Sequence, residues 1–140
     1  MLTVVLDTSV LVAAARSRSG ASQQLLRLLP DSRFQPAISV PMFAEYSAVL
    51  KRPDHLLGRT SEQADTFLNF LLSVAVLQEV YFSWRPMLPD PDDDSVLELA
   101  VAAECQYIVT HNVADFSGCE RFGIQALTPG LFLRQLGAAA

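Results

Sequence analysis

The sequence predicts an α/β fold, a three-layer α/β/α sandwich around a central parallel sheet of four to five strands. Two observations lead to this prediction. Short apolar runs alternate along the chain with segments that repeat apolar residues at helical intervals, which is typical of a parallel sheet covered on both faces. The chain has 140 residues, of which 51% are hydrophobic and 18% charged. We therefore expect one domain over residues 1–140 with a sizeable core.

The first half of the chain predicts two strands and three helices. They are a strand over 2–6, helices over 10–16 and 23–29, a strand over 34–40 and a helix over 42–50. Asp7-Thr8-Ser9 ends the first strand abruptly and has the composition of a helix N-cap. Pro41 stands where the first turn of a helix tolerates proline.

The second half continues the alternation. It predicts a helix from Thr60 or Ser61 to 77, a strand over 80–82, a helix over 95–104, strands over 107–109 and 124–127, and a helix over 129–136. Glu62 and Gln63 directly after the first of these helix starts are typical of a capping box. A loop rich in proline and aspartate covers 85–94, and the last four residues are expected to fray.

Composition and charge narrow the class of protein. No apolar run approaches the ~20 residues of a membrane-spanning helix, and Asp7 interrupts an N-terminus that has no basic residue before Arg16. We expect a cytoplasmic protein, in which Cys105 and Cys119 are reduced thiols without zinc-ligand spacing. The net charge is −5, with +3 on residues 1–59 and −8 on residues 60–140. A nucleic-acid partner would therefore need a local arginine face or a site neutralised by cations.

Acidic residues follow the ends of predicted strands, which is where open parallel sheets bind ligands. They are Asp7, Glu45, the group Asp90, Asp92, Asp93 and Asp94, and Asp115. Each has a structural alternative: Asp7 as a helix cap, the aspartate group as a solvated loop near a helix dipole, Asp115 as turn chemistry and Glu45 as an exposed side chain. Converging carboxylates repel one another, and the usual remedy is a divalent cation, Mg²⁺ or Mn²⁺, that can act on a phosphodiester.

Other motifs fail. The segment after Asp90 starts like a calcium loop, but Ser95 replaces the turn glycine and Val101 the closing glutamate. There is no glycine-rich phosphate loop and no nucleophile elbow. A dehalogenase-type phosphotransferase would need an aspartate at Ser9. His55 and His111 are expected to be surface or loop residues.

Four segments together resemble one family. They are residues 4–11 (VVLDTSVL), 41–46 (PMFAEY), 90–100 (DPDDDSVLELA) and 107–116 (YIVTHNVADF). In this order and spacing they resemble the motifs of PIN-domain ribonucleases, and within that family the VapC-like toxins of type II toxin–antitoxin systems. The resemblance covers essentially the whole chain.

The resemblance implies an endoribonuclease that depends on Mg²⁺ or Mn²⁺. The implied catalytic residues are Asp7, Glu45, Asp93 and Asp115; the implied metal ligands are Asp7 and Asp93, assisted by Asp90 or Asp94, and Asn112. Many relatives carry an acid where this chain has Asn112, which leaves Asp115 as the nearest carboxylate. The hydroxyls of Ser9 and Thr110 would hold metal-bound waters.

Substrate and partners follow from the same resemblance. Arg16 and Arg18 are candidates for steering phosphate, with solvated surface arginines as the alternative. A cognate antitoxin would cover the site and enter an apolar groove between the early helices, and a homodimer without membrane association is expected. Two other functions remain open: a catalytically silent PIN fold that binds RNA or protein, and a structure-specific DNA nuclease.

Overall fold

The sheet is parallel and has β1 at its centre. The computed structural model describes residues 1–81, 88 and 93–138. In this part of the chain the strands are β1 (Leu2–Leu6), β2 (Phe34–Ile38), β3 (Val76–Leu77), β4 (Tyr107–Val109) and β5 (Gln125–Leu127). They pair in parallel in the order β3-β2-β1-β4-β5. The predicted fold class is confirmed.

Helices cover both faces of this sheet. They are α1 (Thr8–Arg16), α2 (Ala21–Arg27), α3 (Val40–Leu50), α4 (Pro53–Leu56), α5 (Ser61–Val74), α6 (Asp94–Ala102) and α7 (Pro129–Ala138). Parallel crossovers are right-handed. The chain moves outward from β1 to β3 and then returns across the sheet to β4, so α6 lies on the face opposite α1 to α5.

The core is centred on β1. Val4, Val5 and Leu6 are fully buried, as expected for a central strand covered on both faces. The C-terminal helix closes one face of the sheet through Phe132, whose ring contacts Phe34 and Tyr107 edge-on at centroid distances of 5.3 and 5.6 Å. This packing joins α7 to strands on both sides of β1.

Local signals define several helix starts. The Ser39 hydroxyl accepts the Met42 N–H at the start of α3, with Pro41 in its first turn. Thr60 and Gln63 form the predicted capping box at the start of α5, through bonds of 3.1 and 2.8 Å. No helix within the described ranges is both long and apolar enough to span a membrane.

The third strand was predicted in the wrong place. The α5 helix ends at Val74 rather than 77, and Val76 and Leu77 pair with β2. The Gln78 N–H extends this pairing by donating to the Ile38 carbonyl at 2.9 Å. Val80 and Tyr81 lie outside any strand, and Phe82 lies outside the described residues. Apolar residues suit both a buried helix face and a buried strand, so the pattern alone does not show where one becomes the other.

The chain end also differs from expectation. Helix α7 includes Gly137 and Ala138, two of the four residues expected to fray, and residues 139–140 are outside the described part.

Candidate active site

Asp7 lies where the central strand turns into α1. It occupies the N-cap position of that helix, but its side chain makes no capping hydrogen bond. Instead its Oδ2 accepts hydrogen bonds from Ser9 Oγ and Thr110 Oγ1, both at 2.8 Å. The side chain is only 8% exposed. Helix capping therefore does not explain Asp7; two hydroxyls from adjacent strand ends hold its carboxylate.

The segment after β4 wraps around the same carboxylate. Thr110 is fully buried, and while its hydroxyl donates to Asp7 it accepts the Asn112 N–H at 2.9 Å. The His111 N–H donates to Ser9 Oγ at 3.2 Å. Ser9 and Thr110, predicted as supporting hydroxyls, thus contact Asp7 directly, and they fix the backbone of the loop that follows.

Helix α3 is fastened to this corner on both sides of Asp7. Thr8 Oγ1 donates to Glu45 Oε2, which makes Glu45 a half-buried group with a partner rather than an exposed one. The hydroxyl of the buried Tyr46 donates to the Leu6 carbonyl. Burial, followed by the nearby charges of Asp7 and Glu45, raises the pKa of Tyr46 far above its ordinary range, so it remains a donor at physiological pH.

The two described aspartates of the third segment have different surroundings. Asp93 stands at the N-cap position of α6 without a capping bond and lines the same cleft as Asp7. Asp94 is fully buried, and its Oδ1 accepts the Leu88 N–H at 2.9 Å. Asp94 therefore fastens the preceding loop. Asp90 and Asp92 lie outside the described residues.

All four predicted catalytic carboxylates line one open cleft of about 520 Å³, which we call the acidic cleft. Its lining comprises Asp7, Thr8, Ser9, Val12, Ala13, Arg16, Glu45, Val49, Asp93, His111, Asn112 and Asp115. Arg16 is part of it and Arg18 is not. The structure thus brings together four chain segments that are far apart in sequence, at the carboxyl ends of β1, β2 and β4.

The donor set of the acidic cleft suits a hard divalent cation. Carboxylate and amide side chains from four chain segments line one cleft, and hard cations prefer such oxygen ligands. Arg16 is the one arginine among the described lining residues. In the described ranges, no three His, Cys, Asp or Glu side chains are close enough together to hold a metal ion as they stand.

Three contributors to the site were not predicted. Thr8 was treated as part of a cap, and Tyr46 was noted only as the last residue of the second resembling segment. Neither signal reveals a bond to a residue about 40 positions away. The third is Ser22, whose Oγ lies 2.8 Å from His111 Nε2. No pattern in the sequence connects this pair.

A second concave surface lies between the early helices, and we call it the helical groove. It has a volume of about 450 Å³ and is mainly apolar. Its apolar lining includes Leu11, Ala14, Leu26, Leu50, Phe67 and Phe70. It also carries Arg27, His55 and Arg59, with no acidic side chain among its described lining. The predicted apolar groove between the early helices is therefore present.

Comparison with known proteins identifies the family. Residues 3–114 match the family model of the PIN domain. The chain belongs to the PIN-domain family. No curated protein matches it. Among solved structures, it is similar to a chain in the crystal structure of VapBC2 from Rickettsia felis bound to a DNA fragment from their promoter. That likeness covers 89% of this chain and 98% of the other, at 17% identity and a TM-score of 0.61, and it shows a shared fold.

Proposed function

We propose that this PIN-domain protein is a metal-dependent endoribonuclease and the toxin of a toxin–antitoxin pair. The observation that carries the proposal is the meeting of Asp7, Glu45, Asp93 and Asp115 in one cleft at the carboxyl end of the sheet. Placing four carboxylates from separate segments in one cleft does not stabilise the fold, because their charges repel. A site that works on a phosphodiester through a divalent cation explains their shared position.

Asp7 and Asp93 would hold Mg²⁺ or Mn²⁺, with Asn112 and Asp115 completing the set and Asp90 as a further candidate. The buried Asp94, whose Oδ1 accepts the Leu88 N–H, would instead hold the preceding loop. When bound, the ion supplies positive charge that offsets the acids and polarises the scissile phosphate. The chain's own hydroxyls orient the ligands. Ser9 and Thr110 both donate to Oδ2 of Asp7, and Thr8 donates to Oε2 of Glu45. Within the described part of the chain, the other oxygen of each carboxylate accepts no hydrogen bond.

The decisive experiment is cleavage of labelled single-stranded RNA in Mn²⁺, in Mg²⁺ and in EDTA. The wild type should cleave only with metal, and Asp7→Asn and Glu45→Gln should lose that activity. Asp54→Asn is the matched control, because this exposed aspartate lies on α4, away from the acidic cleft. Binding of RNA without cleavage in any metal would favour the catalytically silent module. Cleavage of flap DNA in preference to RNA would favour the DNA nuclease.

An antitoxin is the partner we propose for the helical groove. The similar solved structure is a VapBC2 complex. In the present chain, the helical groove offers apolar side chains together with Arg27 and Arg59. This chemistry fits an amphipathic segment that carries carboxylates. We expect expression of this chain to arrest bacterial growth, and co-expression of its adjacent reading frame to relieve the arrest. Phe67→Asp should prevent relief while leaving arrest intact.

The homodimer and the single domain remain predictions. Light scattering on the purified chain would measure the mass in solution. One cooperative unfolding transition is the result expected for a single domain.

A further inference from the structure

His111 is a tethered residue of the acidic cleft. Its Nε2 lies 2.8 Å from the hydroxyl of Ser22, which is only 3% exposed on α2. Its backbone N–H donates to Ser9 Oγ, which in turn donates to Asp7. The imidazole is thus held from one side by a buried hydroxyl, and its backbone is held by the network around the proposed catalytic carboxylate.

The tether determines which ring atom can serve a ligand. When Ser22 donates to Nε2, the ring proton is on Nδ1. In the described part of the chain, Nδ1 makes no hydrogen bond. In that tautomer an N–H donor is available on a ring that already lines the cleft. Because one rotamer is fixed in advance, little side-chain entropy remains to be lost when a ligand binds.

Because the cleft is acidic, a hydrogen-bond donor within it provides a contact for an anionic ligand. Among the described residues that line the cleft, four carry carboxylates, and Arg16 and His111 are the two with basic side chains. A polyanion entering this cleft needs donors that contact phosphate oxygens away from the repelling acids. Arg16 is exposed, and within the described part of the chain its side chain makes no hydrogen bond or ion pair, whereas the imidazole of His111 contacts Ser22.

We propose that His111 binds a phosphodiester oxygen of the RNA strand through Nδ1, and that Ser22 is the residue that positions it. This inference rests on the proposed ribonuclease function and deepens it, since it names a contact to the substrate. His111 stands between Thr110 and Asn112, so a phosphate on its ring would lie beside the carboxylates of the cleft.

Two substitutions at His111 separate the two ring atoms. In His111→Asn the amide nitrogen lies close to the position of Nδ1, so the donor is kept and the reach to Ser22 is lost. In His111→Gln the amide lies close to the position of Nε2, so the contact with Ser22 is kept and the donor is lost. We expect His111→Gln to weaken RNA binding about tenfold, the effect of losing one hydrogen bond to a charged group, and His111→Asn to weaken it less.

RNA binding is measured by fluorescence anisotropy with a labelled single-stranded RNA in Mn²⁺, with every variant in the Asp7→Asn background to prevent cleavage. A double-mutant cycle with Ser22→Ala tests the positioning role. Ser22→Ala should weaken binding when His111 is present and have no effect in His111→Gln. Thermal unfolding of each variant shows whether the fold is retained, and a purely structural Ser22 would weaken binding equally in both backgrounds.

The outcomes distinguish this inference from the proposed function. If the wild type cleaves RNA and the His111→Gln variant binds RNA as tightly as its parent, the inference is wrong and the ribonuclease proposal stands. If the parent binds RNA but the wild type cleaves none, the ribonuclease proposal fails, and the anisotropy of the His111 variants still decides the contact. Both proposals would be overturned if the parent bound no RNA and the wild type cleaved none.

Discussion

The acidic cleft and the helical groove are built differently although helices α1 and α3 line both of them. Val12, Ala13 and Arg16 of α1 line the cleft, whereas Leu11, Ala14 and Ala15 of the same helix line the groove. Side-chain hydrogen bonds organise the cleft, through Thr8, Ser9, Thr110 and Tyr46. Apolar packing forms the groove. The difference teaches that a substitution in the cleft should change chemistry more than stability, and that the reverse should hold in the groove.

Asp7→Asn should produce the largest effect. Losing the central carboxylate should lower RNA cleavage in Mn²⁺ about 1,000-fold, because several kcal/mol of transition-state stabilisation depend on the bound ion. The free energy of unfolding should change little or rise, since repulsion among the acids is relieved. Single-turnover cleavage and urea unfolding measure the two quantities. A variant that unfolds more readily and cleaves as fast per folded molecule would reverse the comparison.

Leu26→Ala tests the groove. Leu26 is buried within it, and truncation of a buried leucine costs about 2–5 kcal/mol of unfolding free energy through lost burial and the cavity left behind. Cleavage per folded molecule should be unchanged. Urea denaturation combined with the RNA assay at low temperature would check this. A fall in kcat without a loss of stability would show that the groove takes part in chemistry.

Mn²⁺ should stabilise the wild type selectively through the cleft. At about a hundred times its dissociation constant, an ion that binds only the folded state adds ~2.7 kcal/mol. Thermal unfolding with and without Mn²⁺ gives the shift, which should be retained in Leu26→Ala and largely lost in Asp7→Asn. Equal shifts in all three proteins would place the ion elsewhere.

Tyr46→Phe should cost about 1–3 kcal/mol of stability, because it leaves the buried Leu6 carbonyl without its donor. This substitution sharpens the comparison, since it loosens α3 from β1 without changing the charge of the cleft. RNA cleavage should fall in parallel, because Glu45 is the preceding residue on α3. Urea unfolding and kcat measure both effects. Full stability together with unchanged kcat would mean that the hydrogen bond has no role in holding the cleft together.

Arg16→Ala should have the smallest effect, a loss of RNA affinity of a few-fold with a salt dependence shallower by about one charge. Arg18→Ala is the matched control because Arg18 is exposed but does not line the cleft. Anisotropy at several salt concentrations compares the two. Identical behaviour of both variants would indicate that neither arginine contacts the strand.

The sequence predicted the alternation of strands and helices because unbroken apolar runs and capping residues are local signals. It also indicated that Asp7, Glu45, Asp115 and the aspartates of residues 90–94 lie near one another, since the carboxyl ends of parallel strands meet at one edge of a sheet. Asp93 was chosen from that group through the resemblance to PIN-domain ribonucleases. The strand pattern alone does not distinguish Asp93 from Asp94, because adjacent aspartates look alike until one of them is buried against the Leu88 amide. It misplaced β3, where helix and strand have the same apolar composition.

The contacts that arrange the site were beyond prediction for a different reason. Thr8 with Glu45 and Ser22 with His111 are pairs far apart in sequence, and each depends on how a helix packs against the sheet. A threonine or serine at a helix start has a local explanation that suffices in the absence of tertiary structure. Such residues are noticed only when their partners are known.

Helix α2 connects the acidic cleft with the helical groove. Its seven residues form a rod about 10 Å long, with Ser22 in its first turn against His111 and Leu26 and Arg27 at its far end in the helical groove. A ligand that shifted the far end would also shift the near end, because a helix of two turns moves as a unit. Thermodynamic reciprocity then requires that any such occupant and the strand held at His111 alter each other's affinity by the same factor. Binding at one surface would thereby change the affinity of the other.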